Sequence, residues 1–175
     1  MPYVAGPTHG KNDFGRKMLE EISRLEKRSG IKLETAQKIL LAETGTIEQV
    51  LSILANSRVV VSVLKQEETK GVIIRESTLC NDSGRTLIRA RSKIVLKNLP
   101  QCVARQIRAG KHGIGTIIQN ARLETYRRII EIGWDPNSRL AFRTYQIIHQ
   151  GKVAFEIREE ILSEVKSEPN SRGSP

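Results

Sequence analysis

Aromatic residues are scarce in this chain of 175 residues: phenylalanine, tyrosine and tryptophan together make up 4%. Binders of single-stranded nucleic acid stack bases on exposed aromatic platforms. The scarcity therefore argues against that role, although the net charge is +10. A basic surface without such platforms attracts anions of any kind, small dicarboxylates included. Cysteine is rarer still. Cys80 and Cys102 stand in no pattern with neighbouring Cys or His, which gives no sign of a disulfide framework or a zinc site and leaves two ordinary buried thiols as the expectation. No run approaches the ~18 apolar residues that a bilayer span needs, and the opening "MPYVAGPTHGKNDFG" lacks the apolar centre of a secretory signal. The default expectation is a cytoplasmic protein with no membrane partner. The oligomeric state leaves no mark in the sequence.

Familiar catalytic motifs are also missing: there is no Walker loop, dinucleotide fingerprint, HExxH or nucleophile elbow. "GKHGIG" holds three glycines but lacks the preceding strand and the long following helix of a phosphate loop, so it reads as a plain loop. His9, His112 and His149 are far apart and read as surface or turn residues.

What is present is a soluble domain's composition, 38% hydrophobic and 27% charged, in a chain long enough for one real core. Helical spacing predicts a first helix from Asn12 or Asp13 to Gly30, with Met18, Ile22 and Leu25 on one stripe. A second follows over "KLETAQKILLAETG", with Leu33, Ala36, Ile39 and Leu40 inward and Gly45 as its stop. A third spans "TIEQVLSILAN", with Thr46 as N-cap and Ile47, Val50, Leu51 and Leu54 inward. After Asn56 the period changes. "SRVVVSVLKQ", "GVIIRESTLC" and "RTLIRARSKIVL" are β-branched and read as strands, the last two joined by a turn at Asp82, Ser83 and Gly84. "LPQCVARQIRAG" and "GIGTIIQN" look helical, and strand candidates follow at 121–134, 139–149 and 152–162, with "HQGK" turning between the last two. "ARLETYRRIIEIG" also carries good helix formers, and periodicity alone leaves both readings open. The predicted fold is α+β: a single antiparallel sheet of about six strands, with helices at the N-terminus and in the middle. The tail "KSEPNSRGSP" reads as disordered.

The informative feature is charge inside strand patterns. Neighbouring side chains of a strand point to opposite faces, so Arg75 and Glu76 in "GVIIREST" must part company. Arg75 lies on the face of Ile73 and Leu79, where a guanidinium needs an anionic partner, from protein or ligand. Arg89, Arg91 and Lys93 share one side of the next strand and read as a solvated face. In "AFEIREEIL", Glu159 shares a face with Phe155, Ile157 and Ile161, an acid on an apolar face. Partial burial would raise its pKa and suit it to proton transfer, and an internal ion pair is an equally good reading.

Several ordered segments resemble the chorismate lyase family, in particular its archaeal and actinobacterial branch. "LLAETGTIEQVLSILANSRVVVSVLKQ" is similar to the family's entry segment, and "RESTLCNDSGRTLIRARSKIVL" to its Arg-Glu-x-x-Leu-Cys hairpin. "GIGTIIQNARLETYRRIIEIG" resembles the segment built on Pro-(Leu/Ile)-Gly, and "FRTYQIIHQGKVAFEIREEI" the closing hairpin that ends in a catalytic glutamate. The resemblance spans residues 33–163. It implies an extension over 1–30 with a helix, a chorismate lyase-like domain over 31–163, and a tail over 164–175.

It also implies cleavage of chorismate to 4-hydroxybenzoate and pyruvate without metal or organic cofactor. On the matching positions, Arg75 would clamp the ring carboxylate and Glu159 would be the acid beside the 4-position oxygen. Ile114 and Gly115 would shape the pocket, Gly45 would form the turn before it, and Arg127 would meet the enolpyruvyl carboxylate. Glu160 and Arg158 compete with Glu159 for register. The chain departs from the family pattern at Gly113, Thr116 and Val153, where the pattern has Pro, Arg and Pro. Family relatives also serve as non-catalytic effector-binding modules, the alternative to the lyase. A basic nucleic-acid-binding protein is the third reading.

Overall fold

The computed structural model describes residues 13–162. Three helices come first: α1 (Phe14–Ser29), α2 (Thr35–Ala42) and α3 (Ile47–Ala55). Next are strands β1 (Val59–Thr69), β2 (Val72–Asn81) and β3 (Thr86–Val95), then helices α4 (Gln101–Ala109) and α5 (Ile114–Asn120). Strands β4 (Tyr126–Asp135), β5 (Leu140–His149) and β6 (Lys152–Ile161) complete the domain. The expected tail over 164–175 and most of the segment before α1 lie outside the described residues.

Local chemistry sets the element ends. Asp13 caps α1 by accepting from the Arg16 backbone N–H at 2.9 Å, and Gly30 closes the helix in the left-handed conformation at φ 67°. The six strands form one antiparallel sheet in the order β1-β2-β3-β6-β5-β4. The strand order is what two three-strand meanders give when β6 pairs with β3. One face is solvated, with Arg89, Arg91 and Lys93 exposed as the alternation predicts. The other carries two packed clusters. In the first, Ile22, Leu25, Leu40, Leu41 and Leu51 of the N-terminal helices cover Leu79, Ile88 and Ile161. In the second, Val103, Ile107 and Ile117 of α4 and α5 cover Ile73, Ile94 and Phe155. Burial of these side chains at roughly 1.5–3 kcal/mol each supplies the driving force.

The structure corrects several sequence expectations. Helix α2 ends at Ala42, before Gly45, because Glu43 turns extended (φ −65°, ψ 129°) and starts the crossing to α3. Leu41 is buried there and Ile39 is exposed, so the inward stripe is turned by one position. The strand candidate at 121–134 begins only at Tyr126; the preceding residues form a turn in which Arg122 adopts φ 48°. Cys102 is exposed rather than buried, because α4 turns Val103, Ala104 and Ile107 inward.

Two β-bulges position side chains for the site. In β1 the register shifts between Val63 and Lys65, which brings Gln66 opposite Arg75. An unbroken ladder would put Lys65 there, a second cation beside the first. In β4 the shift between Ile129 and Glu131 puts Ile132 opposite Arg143 and keeps Glu131 exposed.

Candidate functional site

Between the two apolar clusters the sheet's inner face is left partly uncovered, and the reason is side-chain size. The registers align Ser77 with Ala90 and Ala90 with Glu159, and in the next row Arg75 with Ser92 and Ser92 with Ile157. Ser77, Ala90 and Ser92 are too small to fill the layer under the helices. A cavity of about 530 Å³ of atom-free space, open mouth included, stands over them. The α2–α3 turn with Gly45 and Thr46, Gly113 of the α4–α5 turn, and Ile114 and Gly115 at the start of α5 form its upper wall.

Arg75 stands at one end, 1% exposed. Its Nε donates to Gln66 Oε1 at 2.8 Å, its Nη1 to the His112 carbonyl at 3.2 Å and its Nη2 to the Ile107 carbonyl at 2.7 Å. All three acceptors are neutral, and no carboxylate among the described residues pairs with it. Burial alone pushes its pKa down from the ordinary arginine value. A guanidinium has five N–H donors, so two remain after these three bonds. The arrangement fixes a buried cation and leaves donors and charge for an anion.

Glu159 stands at the other end, 3% exposed. Its Oε2 accepts from Arg143 Nε at 2.8 Å and its Oε1 from the Tyr145 hydroxyl at 2.9 Å. Arg143 also donates to the Glu43 carbonyl and lies 4.8 Å from the Tyr145 ring centroid. Burial is the largest cause holding the Tyr145 phenol well above its usual range, with the Glu159 charge adding to it. Glu159 is therefore held in an internal ion pair, the second of the two readings its sequence position allowed. By strand spacing and rise, Arg75 and Glu159 lie roughly 12 Å apart at Cα, two strands and two residues away from each other. Both line the cavity together with Ser77, Ala90 and Ser92 of the small-residue floor.

The six residues that the resemblance assigned to the site all line this one cavity: Arg75, Glu159, Ile114, Gly115, Gly45 and Arg127. Arg127 of β4 is half-buried and reaches the Thr44 carbonyl at 3.4 Å, which ties the edge strand to the α2–α3 turn. The competitors in register, Arg158 and Glu160, point to the opposite, solvated face, where Arg158 stacks on Phe142 at 3.5 Å. His112 contributes only its carbonyl oxygen, and His149 bonds the Glu124 carbonyl at 3.0 Å.

Sequence reasoning missed Arg143, Tyr145, Gln66 and Glu48. The first two carried the same signal as Arg75, since "LAFRTYQII" alternates Ala141, Arg143, Tyr145 and Ile147 on one face. Glu48 gave no signal, because an acid in the first turn of a helix is explained by the helix dipole. Its carboxyl lies against the α4–α5 turn: a Cβ on Gly113 would sit 2.6 Å from Glu48 Oε1 and 2.9 Å from Val61 Cγ2. Gly113 has φ −63°, which proline could adopt, and a side chain there would meet Glu48 and Val61. Burial raises the Glu48 pKa, the Glu159 charge adds to the rise, and Arg127 opposes it.

No family model matches the chain. It is 29% identical over 162 residues to a chorismate pyruvate-lyase of Mycobacterium leprae, a match covering 77% of each chain. It is 32% identical over 157 residues to a protein of Methanocaldococcus jannaschii provisionally named a lyase, covering 80% of this chain and 84% of that one. Among solved structures, a possible transcriptional regulator of Bacillus subtilis, YydK, is 10% identical with a TM-score of 0.46, covering 91% of this chain and 99% of that one. By its curated relatives the chain belongs to the chorismate lyase family.

Proposed function

We propose that the protein is a cofactor-independent lyase that cleaves chorismate to 4-hydroxybenzoate and pyruvate in this cavity. One observation carries the reading: a fully buried arginine, tethered only to neutral oxygens, faces a buried carboxylate across a floor of small residues. An uncompensated interior cation is costly in the free protein and is offset when an anion arrives. A planar carboxylate is the natural complement of a guanidinium.

In the proposed complex Arg75 holds the ring carboxylate, Ile114 and Gly115 bound the ring, and Arg127 meets the enolpyruvyl carboxylate under the Gly45 turn. Glu159, fixed by Arg143 and Tyr145, lies beside the 4-position oxygen. The ring then loses its hydrogen from C4 as a proton, and the bond from C3 to the ether oxygen breaks. The ring becomes aromatic, and the departing enolate takes up that proton at its methylene carbon to become pyruvate. Atoms and charge balance without water or a co-reactant. Aromatisation supplies the driving force, so the protein's contribution is orientation and placed charge, which needs no strong nucleophile.

The test is incubation of the purified protein with chorismate, with pyruvate followed by a coupled assay and 4-hydroxybenzoate by chromatography. Equal amounts of both products, lost in Arg75→Ala and Glu159→Ala proteins that remain folded, are expected. Binding of 4-hydroxybenzoate with no pyruvate from chorismate would overturn the catalytic reading in favour of an effector-binding module.

A further inference from the structure

Among the described residues, Glu48 is the one cavity-lining acid that the proposed mechanism leaves unused. It projects from the first turn of α3 into the same space as Glu159, half-buried against Gly113 and Gly115. Its carboxyl accepts no hydrogen bond and joins no ion pair among the described residues. The charged and titratable groups around it are Glu159 on β6, Arg143 and Tyr145 on β5, Arg127 on β4, Arg75 at the far end on β2, and Glu43 before its own helix. The α4–α5 turn presents glycine backbone to it, with the His112 side chain turned to solvent.

Charge counting gives this acid a role. Arg143 neutralises Glu159, which leaves, among the described residues that line the cavity, Arg75 and Arg127 as cations and Glu48 as the remaining acid; Glu43 is outside the lining, its carboxylate accepting from the Gly45 backbone N–H. With Glu48 ionised the cavity carries one net positive charge, which a monoanion balances. A dianion such as chorismate overshoots by one negative charge in a poorly solvated space, and protonation of Glu48 restores the balance.

We propose that Glu48 is a proton-linked specificity residue: a dianionic ligand binds together with one proton taken up by Glu48, whereas a monoanionic ligand binds with Glu48 ionised. The inference rests on the lyase reading for its ligand class. It also completes that reading, since a dianionic substrate enters with a proton and the monoanionic products leave the carboxyl free to release it. The pKa already raised in the free protein by burial and by the Glu159 charge lowers the cost of the uptake.

The experiment is isothermal titration calorimetry of the full chain in buffers of different ionisation enthalpy, over a pH series that starts at the ordinary carboxyl range and runs upward to about pH 8. The ligands are 3-(carboxymethoxy)benzoate, an uncleavable aromatic ether dianion, and 4-hydroxybenzoate, a monoanion. Wild type is expected to take up close to one proton with the dianion, and its affinity to fall up to about tenfold per pH unit above the free pKa of Glu48. With the monoanion the uptake is expected to be near zero. Glu48→Gln and Glu48→Ala are expected to bind the dianion with no uptake and with an affinity that is flat in pH, folding being checked by thermal melting. Equal uptake in wild type and both variants, or equal uptake with both ligands, overturns the inference and leaves the lyase reading standing. Failure of either ligand to bind wild type overturns both.

Discussion

Replacing Glu159 by Gln keeps the shape of the side chain and removes its charge, which leaves Arg143 buried without a counter-ion. Breaking a buried ion pair by removing one partner costs about 3–5 kcal/mol. Two features of this site lower the figure. The Gln amide oxygen can still accept one hydrogen bond, and Arg143 keeps the Glu43 carbonyl and the Tyr145 ring. We therefore expect Glu159→Gln to cost about 2–3 kcal/mol, a melting temperature lower by roughly 4–12 °C for a chain of this length. Arg143→Met leaves the carboxylate stranded instead, with only the Tyr145 hydroxyl to meet it, and is expected to cost about 3–5 kcal/mol. The double variant decides the matter. Once Arg143 is gone, changing Glu159 to Gln removes an uncompensated charge, so the double variant should be no less stable than Arg143→Met alone. Urea unfolding of the four proteins then gives a coupling of about 2–3 kcal/mol. Effects that add to within about 0.5 kcal/mol would refute the ion pair as the element that fixes Glu159.

Arg75→Ala is expected to weaken 4-hydroxybenzoate binding by about 2–5 kcal/mol, roughly 30- to 5000-fold, because a charge-assisted bidentate contact is lost; titration calorimetry measures it. Gly133→Ala should cost about 1–3 kcal/mol by overpacking, since a Cβ there would overlap the Phe142 ring that lies across it. A thermal melt reads that loss, and unchanged ligand affinity would place it on the solvated face. Tyr145, with its phenol pKa raised on folding, contributes stability that is complete below the ordinary value of about 10 and is lost as pH rises through the folded value. Tyr145→Phe should accordingly show a shallower fall in stability in alkaline urea titrations.

Period-two alternation made most of this architecture legible. It put Arg75 and Glu159 on apolar faces, and the structure buries both. It separated Arg89, Arg91 and Lys93 correctly as a solvated row. Alternation is a local rule, however, and it fails where a bulge changes the phase. Gln66 faces Arg75 only because β1 inserts one residue after Val63, and nothing in "SVLKQ" announces that. The run Ile129, Ile130, Ile132 stayed ambiguous for the same reason, since the bulge in β4 breaks its alternation. The residues that roof the cavity were reached by family resemblance rather than by pattern. Gly45 lies in a turn, and Ile114 and Gly115 open the short helix α5; neither a turn nor a helix start states in its sequence what it stands over. Glu48 was hidden by a sufficient local explanation, the helix dipole, which says nothing of what the carboxyl meets beyond its own helix.

In the proposed complex the free donors of Arg75 and the fixed carboxylate of Glu159 address opposite ends of one ring. A crystal structure of the protein with 4-hydroxybenzoate tests this most directly. The expected pose has the ligand carboxylate on the Arg75 Nη atoms, the ring between Ile114 and the Ser77–Ala90 floor, and the hydroxyl directed at Glu159. A ligand carboxylate paired with Arg127 or with the outer-face Arg158, and an Arg75 guanidinium left without it, would contradict the account.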